Sequence, residues 1–394
     1  MAPDTQLAHI NLKPKSQEPY ALILALAAAA IFWRLQGQGI GLGTMWLFGL
    51  ALGYVLQRSR FCFVACFRDP FITGNTSLSR AVVLALAVAT AGMALLVLAG
   101  GSPVEVYPAG WHNLAGGLLF GTGMVLAGGC ASGTLMRAGE GHLLQWLTLA
   151  AFIMGSLWGA HDFGWWQQVS LSCSPVLFLP RLVGWGPALV LQLLILGLIY
   201  HGLWRIEKQA FPDFSPPGKG RYAFKLRHLW SRPWPYWAGG VVLAVLDVAL
   251  AWCTGRPWGI TTAFSYWGAW LWQAFTGHPP GWYYYSLPDH TRALGLGFLA
   301  EPGTILNLGT IWGAGLSALA ASEFRLHLPR RWQVVPAALA GGIMMGYGAR
   351  IAMGCNIGAF FNGIASLSLH GWLFGLGLAG GAYLGGKLLL RFLV

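Results

Sequence analysis

Three cysteines stand where long apolar runs break: Cys62 in SRFCF, Cys130 in AGGCASG and Cys355 in MGCNIG. A thiol is a weak donor with a polarizable sulfur, so a row of them suits a ligand whose accepting atom is itself sulfur. The plain alternative is packing, because a free cysteine is a small apolar residue that sits well beside glycine. Repetition weighs against packing alone. AGGLLFGTGMVLAGGCASG, starting at Ala115, returns as AGGIMMGYGARIAMGCNIG, starting at Ala340, with nine of nineteen positions identical and Cys130 matched to Cys355. Gly49, Gly117, Gly240 and Gly342 each precede a cysteine by thirteen residues, namely Cys62, Cys130, Cys253 and Cys355. The spacing predicts four related units, two per half.

The residues beside these cysteines could hold an anion. Helix N-termini following Gly129 and Gly354 would offer unpaired amides and the positive end of a dipole. Ser132, Thr134, Asn356 and Asn362 could donate further bonds, although helix capping and interhelical hydrogen bonding account for each of them equally well. Arg256 and Arg350 lie near the breaks and would draw anions in. Arg58, Arg60, Arg68 and Arg137 read better as topology and headgroup residues, with Arg68 and Arg137 free to pair locally with Asp69 and Glu140. Cys66, one helical turn after Cys62, is a secondary contact. Cys253 precedes an Arg-Pro break and is a weaker candidate, and Cys173 is incidental. There is no CxxC, no Cys/His set at metal spacing and no cofactor motif, so neither a zinc nor an iron–sulfur site is expected. No residue is assigned a catalytic role.

Composition dictates the elements that must position these groups. Charged residues are 9% and hydrophobic residues 56% of the chain, whereas a soluble domain carries about 25% charged residues. Approximate spans of about 20 apolar residues fall at 20–34, 43–57, 79–100, 112–128, 143–160, 184–204, 236–253, 303–321, 333–351 and 370–391. Between them, 60–72, 129–141, 256–275 and 353–366 are too short, too polar or too interrupted to span, and read as re-entrant half-helices. Irregular backbone at membrane depth survives only where protein or a water-filled cavity satisfies it. The fold class is therefore an all-α polytopic membrane protein. Its parts are a polar tail 1–19, a first membrane half 20–204, a basic linker 205–235 and a second half 236–394.

Charge orients the chain. Residues 205–232 carry Arg205, Lys208, Lys219, Arg221, Lys225, Arg227 and Arg232, and residues 323–331 carry Arg325, Arg330 and Arg331. By the positive-inside rule these loops are cytoplasmic. Residues 101–112 and 161–180 hold no Lys or Arg and fall outside. Both termini are then cytoplasmic, and the two halves come out inverted, with cysteine-bearing half-helices meeting at a narrow waist. The net charge of +12 is explained by these loops, not by a nucleic-acid surface. No signal peptide precedes Tyr20, so the first helix is a retained span.

SRFCFVACFRDPF, AGGCASGTLMRAGEG and MGCNIGAFFNG resemble the YeeE/YedE family of bacterial inner-membrane proteins, and the likeness covers nearly the whole chain. The resemblance implies an inverted-repeat, hourglass-like fold and uptake of thiosulfate. It also implies that Cys62, Cys130 and Cys355 relay the anion by S–H···S contacts without covalent bonds. GRPWGITTAF matches a re-entrant segment that in this family has no cysteine, which makes Cys253 peripheral. Other relatives are assigned selenium compounds or other sulfur species, and the motifs do not separate these.

The expected function is thiosulfate import from periplasm to cytoplasm across the inner membrane. The expected partners are that anion or a related sulfur anion, membrane lipid, and a separate cytoplasmic sulfurtransferase; no nucleic acid and no cofactor are expected. A different sulfur or selenium anion is the first alternative. A membrane thiol-redox or sulfur-transfer enzyme is the second, opposed by the missing CxxC and resolving partner. Moving a dianion inward against 100 mV costs about 4.6 kcal/mol. Asp247 is the only carboxylate within a span that could carry a compensating proton.

Overall fold

The computed structural model describes residues 16–37, 41–101, 105–211, 228–329 and 331–392. Lys219, Arg221, Lys225, Arg227 and Arg330 lie outside that set, as does most of the tail 1–19. Among the described residues there is no β-strand.

Every expected span is a helix. The first half holds α1 (Glu18–Gln36), α2 (Leu42–Ser59), α3 (Phe63–Ile72), α4 (Ser77–Leu98), α5 (Trp111–Leu126), α6 (Ala131–Gly139), α7 (Leu143–His161) and α8 (Trp185–Ala210). The second holds α9 (Tyr236–Thr254), α10 (Thr261–Thr276), α11 (Pro302–Ala320) and α12 (Val334–Ile351). It ends with α13, which is π-helical over Asn356–Asn362 and continues over Gly363–Ala365, and α14 (Leu369–Phe392). Nine segments of the described residues are long and apolar enough to cross a membrane, α2–α3 and α5–α6 each counting as one. The tenth expected span, α11, is not among them; it carries the fully buried Thr304, Asn307, Thr310 and Ser317.

The four helices that precede the breaks each stop at a residue with positive φ: Arg60 after α2, Gly128 after α5, Gly255 after α9 and Met353 after α12. Glycine takes that conformation freely, whereas Arg60 and Met353 hold it at a cost of roughly 1 kcal/mol each. Three of the following helices are short, and the fourth, α10, runs for 16 residues. At 1.5 Å per residue, α3 and α6 extend about 15 Å, half of a ~30 Å hydrocarbon core. α10 begins at Thr261, five residues later than the sequence suggests, because Arg256-Pro257 interrupts the chain.

Packing is reciprocal between the halves. α2 lies against α11 and α4 against α9, while α5 lies against α14 and α7 against α12. In each case the opening helix of one unit packs on the closing helix of a unit in the other half. The helices after the breaks follow the same exchange: α3 contacts α5 and α14, and α10 contacts α12 and α7. Small residues make these contacts close, as in membrane bundles generally. A Cβ on Gly53 of α2 would lie 2.0 Å from the Thr310 carbonyl oxygen of α11. α1 and α8 sit at the periphery, each with only 17% of its apolar window buried. Cys62, Cys66, Cys130 and Cys355 belong instead to the main core cluster, with Phe63, Phe120, Phe152 and Phe374.

Candidate thiol-lined site

Each of the three principal cysteines is an N-cap. Cys62 precedes α3, Cys130 precedes α6 and Cys355 precedes α13, all with extended backbone. At the fourth break Ile260 holds the equivalent place. Cys253 is the penultimate residue of α9 and is exposed. Its glycine spacing therefore does not mark a half-helix start, because proline cannot continue a helix and the loop through Arg256 and Pro257 moves the cap onward. Cys173 is also exposed.

Two of the caps, Cys130 and Cys355, use sulfur as an acceptor. The Gly133 amide donates to Cys130 Sγ at 3.4 Å, and the Ile357 amide donates to Cys355 Sγ at 3.4 Å. Ser132 Oγ lies 3.5 Å from Cys130 Sγ. The thiols fall into two sets. Cys62 and Cys130 are close enough to interact. A Cβ on Gly133 would lie 3.3 Å from the Cys130 sulfur and 3.7 Å from the Cys62 sulfur, so glycine there leaves both uncovered. Cys355 lies instead beside the Thr261 hydroxyl, at the start of α10. Between the sets, Phe63 meets Phe360 and Phe361 edge-on, each at 6.4 Å. Phe61, Phe63, Trp258, Ile357 and Phe361 line a cavity of about 10 Å³, room for one water and not for a five-atom anion.

The Cys355 side carries the charge. Arg350 is 3% exposed, donates to the Tyr284 hydroxyl, and donates to Thr261 Oγ1 at 3.3 Å. Its guanidinium carbon lies 5.4 Å from the centre of the Tyr284 ring. Its Nε has no partner, and no carboxylate among the described residues pairs with it. Asn356 is fully buried with neither amide atom hydrogen-bonded. Buried polar groups left open are costly. An oxyanion would supply acceptors for both Arg350 Nε and Asn356 Nδ2.

Other expected site residues act differently. Arg256 is exposed and reaches Asp289 at 3.5 Å, whereas Arg350 is buried. The Cys66 thiol lies beside Ser79 of α4. A Cβ on Gly129 would meet Gln145 Oε1 at 2.6 Å, and one on Gly354 would meet the Ala359 nitrogen at 2.6 Å. Both glycines serve close approach. Gln145 bonds the Ala127 carbonyl and receives the Thr134 hydroxyl, which fixes the break before α6.

The break before α10 is clamped the same way. Asp247 Oδ1 accepts the Trp258 amide at 2.7 Å, Asn362 donates to the Trp258 carbonyl at 2.9 Å, and Asn307 donates to the Ile260 carbonyl at 2.9 Å. Asp247 is thus a fixed acceptor that satisfies irregular backbone at depth. Arg58 is buried and bonded to Gln57, Ser317, the Trp230 carbonyl and Glu323, which places it in a polar cluster away from any headgroup. Arg68 pairs with Asp69 at 2.7 Å, as its spacing suggests, while Arg137 donates to the Gly128 carbonyl and forms no ion pair with Glu140. Sequence inspection misses Thr261, Tyr284 and Asn307, which stand far from any cysteine motif; only Asn307, polar within an apolar run, leaves a trace.

A family profile described as Sulphur transport matches residues 58–384. The protein named Thiosulfate transporter TsuA from Spirochaeta thermophila is 29% identical over 349 residues, covering 83% of this chain and 92% of the relative. The protein of the same name from Escherichia coli is 29% identical over 336 residues, covering 82% and 88%. Probable transporter YedE from Salmonella typhimurium is 36% identical over 155 residues, covering 39% of this chain and 38% of the relative. The matched span takes in all three cysteine-capped breaks and most of α14, and the chain belongs to the sulphur-transport family of YeeE/YedE proteins.

Proposed function

We propose that this protein imports thiosulfate across the bacterial inner membrane, passing it from Cys355 to Cys130 and Cys62. The observation that carries the reading is the buried cluster at Cys355: Arg350 and the Cys355 thiol meet at Thr261, and Arg350 Nε and the adjacent Asn356 amide have no hydrogen-bond partner. Arg350 and Asn356 meet the oxygens, and the thiol meets the terminal sulfur. Cys130 and Cys62 then receive the anion on the far side of the phenylalanine rings. No covalent bond forms at any thiol. The thiosulfate transporters among the relatives support this cargo.

The same reading makes the short helices re-entrant and the halves an inverted repeat. The reciprocal packing of opening and closing helices supports a two-fold exchange of the halves. Described basic residues support the orientation: Arg205, Lys208, Arg232, Arg325 and Arg331 belong to the segments that the positive-inside rule assigns to the cytoplasm. A cytoplasmic sulfurtransferase would remove the product and sustain inward flux.

Vesicles containing the purified protein test the reading. Thiosulfate labelled on its inner or its outer sulfur should enter at equal rates, and Cys355→Ala should reduce uptake to background. Uptake of one label without the other would make the protein a sulfur-transfer enzyme, and no uptake of either would exclude thiosulfate as cargo.

A further inference from the structure

Glu105 lies in the connection between α4 and α5, far in sequence from every cysteine. Its Oε2 sits 3.7 Å from where a Cβ on Gly358 would be, in the turn that follows Cys355. Among the described residues no hydrogen bond or ion pair engages this carboxyl. The groups that act on it come from several elements. Asp247 faces it from α9 and Arg256 from the loop after α9. Tyr107, on its own loop, is in turn within range of Tyr284 and Arg350, and its ring lies 5.4 Å from His370. Asp247 is fully buried, and its Oδ2 has no partner. The neighbouring Asn356 amide is likewise open.

We propose that Glu105 is a proton-binding site at the outer mouth, and that only its neutral form admits the anion to Cys355. An ionised Glu105 places negative charge against the turn where a dianion must pass, next to an Asp247 held by the Trp258 amide. The negative charge of Asp247 opposes ionisation of Glu105. Among the described residues the cation that acts on it, Arg256, is exposed and also reaches Asp289. Consistent with this, burial first and then Asp247 push the Glu105 carboxyl up to about 8, with Arg256 lowering it only in part. The proton is held below that value and lost above it. Thiosulfate itself stays a dianion across this range, so the switch belongs to the protein.

This inference rests on the transport reading, and one experiment separates the two. Initial uptake of labelled thiosulfate into vesicles is measured at external pH 7 and pH 9. A carboxyl titrating at about 8 is about 90% protonated at the first and about 10% at the second, so wild-type uptake should fall about tenfold. Glu105→Gln should flatten the ratio to about one. Glu105→Ala should do the same and serves if the glutamine variant does not reach the membrane. A wild-type profile retained in either variant, or a flat wild-type profile, overturns the proton site and leaves transport standing. No wild-type uptake at any pH overturns both.

Discussion

Arg350 offers the most direct measurement of how this protein holds an anion. The side chain is 3% exposed, is solvated only by two hydroxyls, and leaves Nε open. Arg350→Met removes the charge and keeps much of the volume. A hydrogen bond to a charged group contributes about 1.5–3 kcal/mol, and each 1.4 kcal/mol is a factor of ten in affinity. Half-saturation for thiosulfate should therefore rise about 10- to 100-fold. Thermal unfolding in detergent supplies the second readout. An arginine that existed to stabilise the fold would cost stability when removed. Arg350 has no carboxylate to abandon, so the methionine variant should unfold at or above the wild-type temperature without ligand, since apolar replacement of buried charge is often neutral or stabilising. Added thiosulfate should stabilise the wild type alone, because a ligand stabilises the state it binds. Arg350→Lys should fall between, since a point charge cannot replace the guanidinium fork. A methionine variant that is markedly less stable and yet half-saturates within twofold of wild type would refute the anion role.

Further expectations concern the caps, the packing and the orientation. Serine is a preferred N-cap, so Cys130→Ser should fold at least as well as wild type while losing most uptake; full uptake by this variant would show that an oxygen serves there as well as sulfur. Gly53→Ala should destabilise the protein by roughly 1–3 kcal/mol, because its Cβ would fall 2.0 Å from the Thr310 oxygen; an unchanged melting temperature would mean that α2 and α11 separate easily. Single reporter cysteines at Ser172 and His278, both exposed, should label from outside, and one at Leu326, 73% exposed, only from inside. Outside labelling at Leu326 would turn the last spans over and remove the inverted arrangement.

The helices themselves were legible in the sequence because lipid offers no hydrogen bonds, so apolar runs of spanning length are constrained to be helical. The breaks were legible at Cys62, Cys130 and Cys355 for a local reason: a left-handed stop followed by a cap occupies consecutive residues. The same logic failed at Cys253, where Pro257 displaced the cap to Ile260. Which thiols meet was not legible. Cys62 stands beside Cys130 within the first half, and Cys355 beside Thr261 within the second, and one sequence period says nothing about which of the repeated units meet. Packing also buries the charge of Arg350 and leaves that of Arg256 exposed. It also carries Glu105 from a distant loop to within reach of Gly358. Residue type and spacing determine where the chain stops and what chemistry each stop can offer. Close contact between units, within a half for the thiols and across the halves for Glu105, decides which of those groups share a site, since contact depends on tertiary packing and not on neighbourhood along the chain.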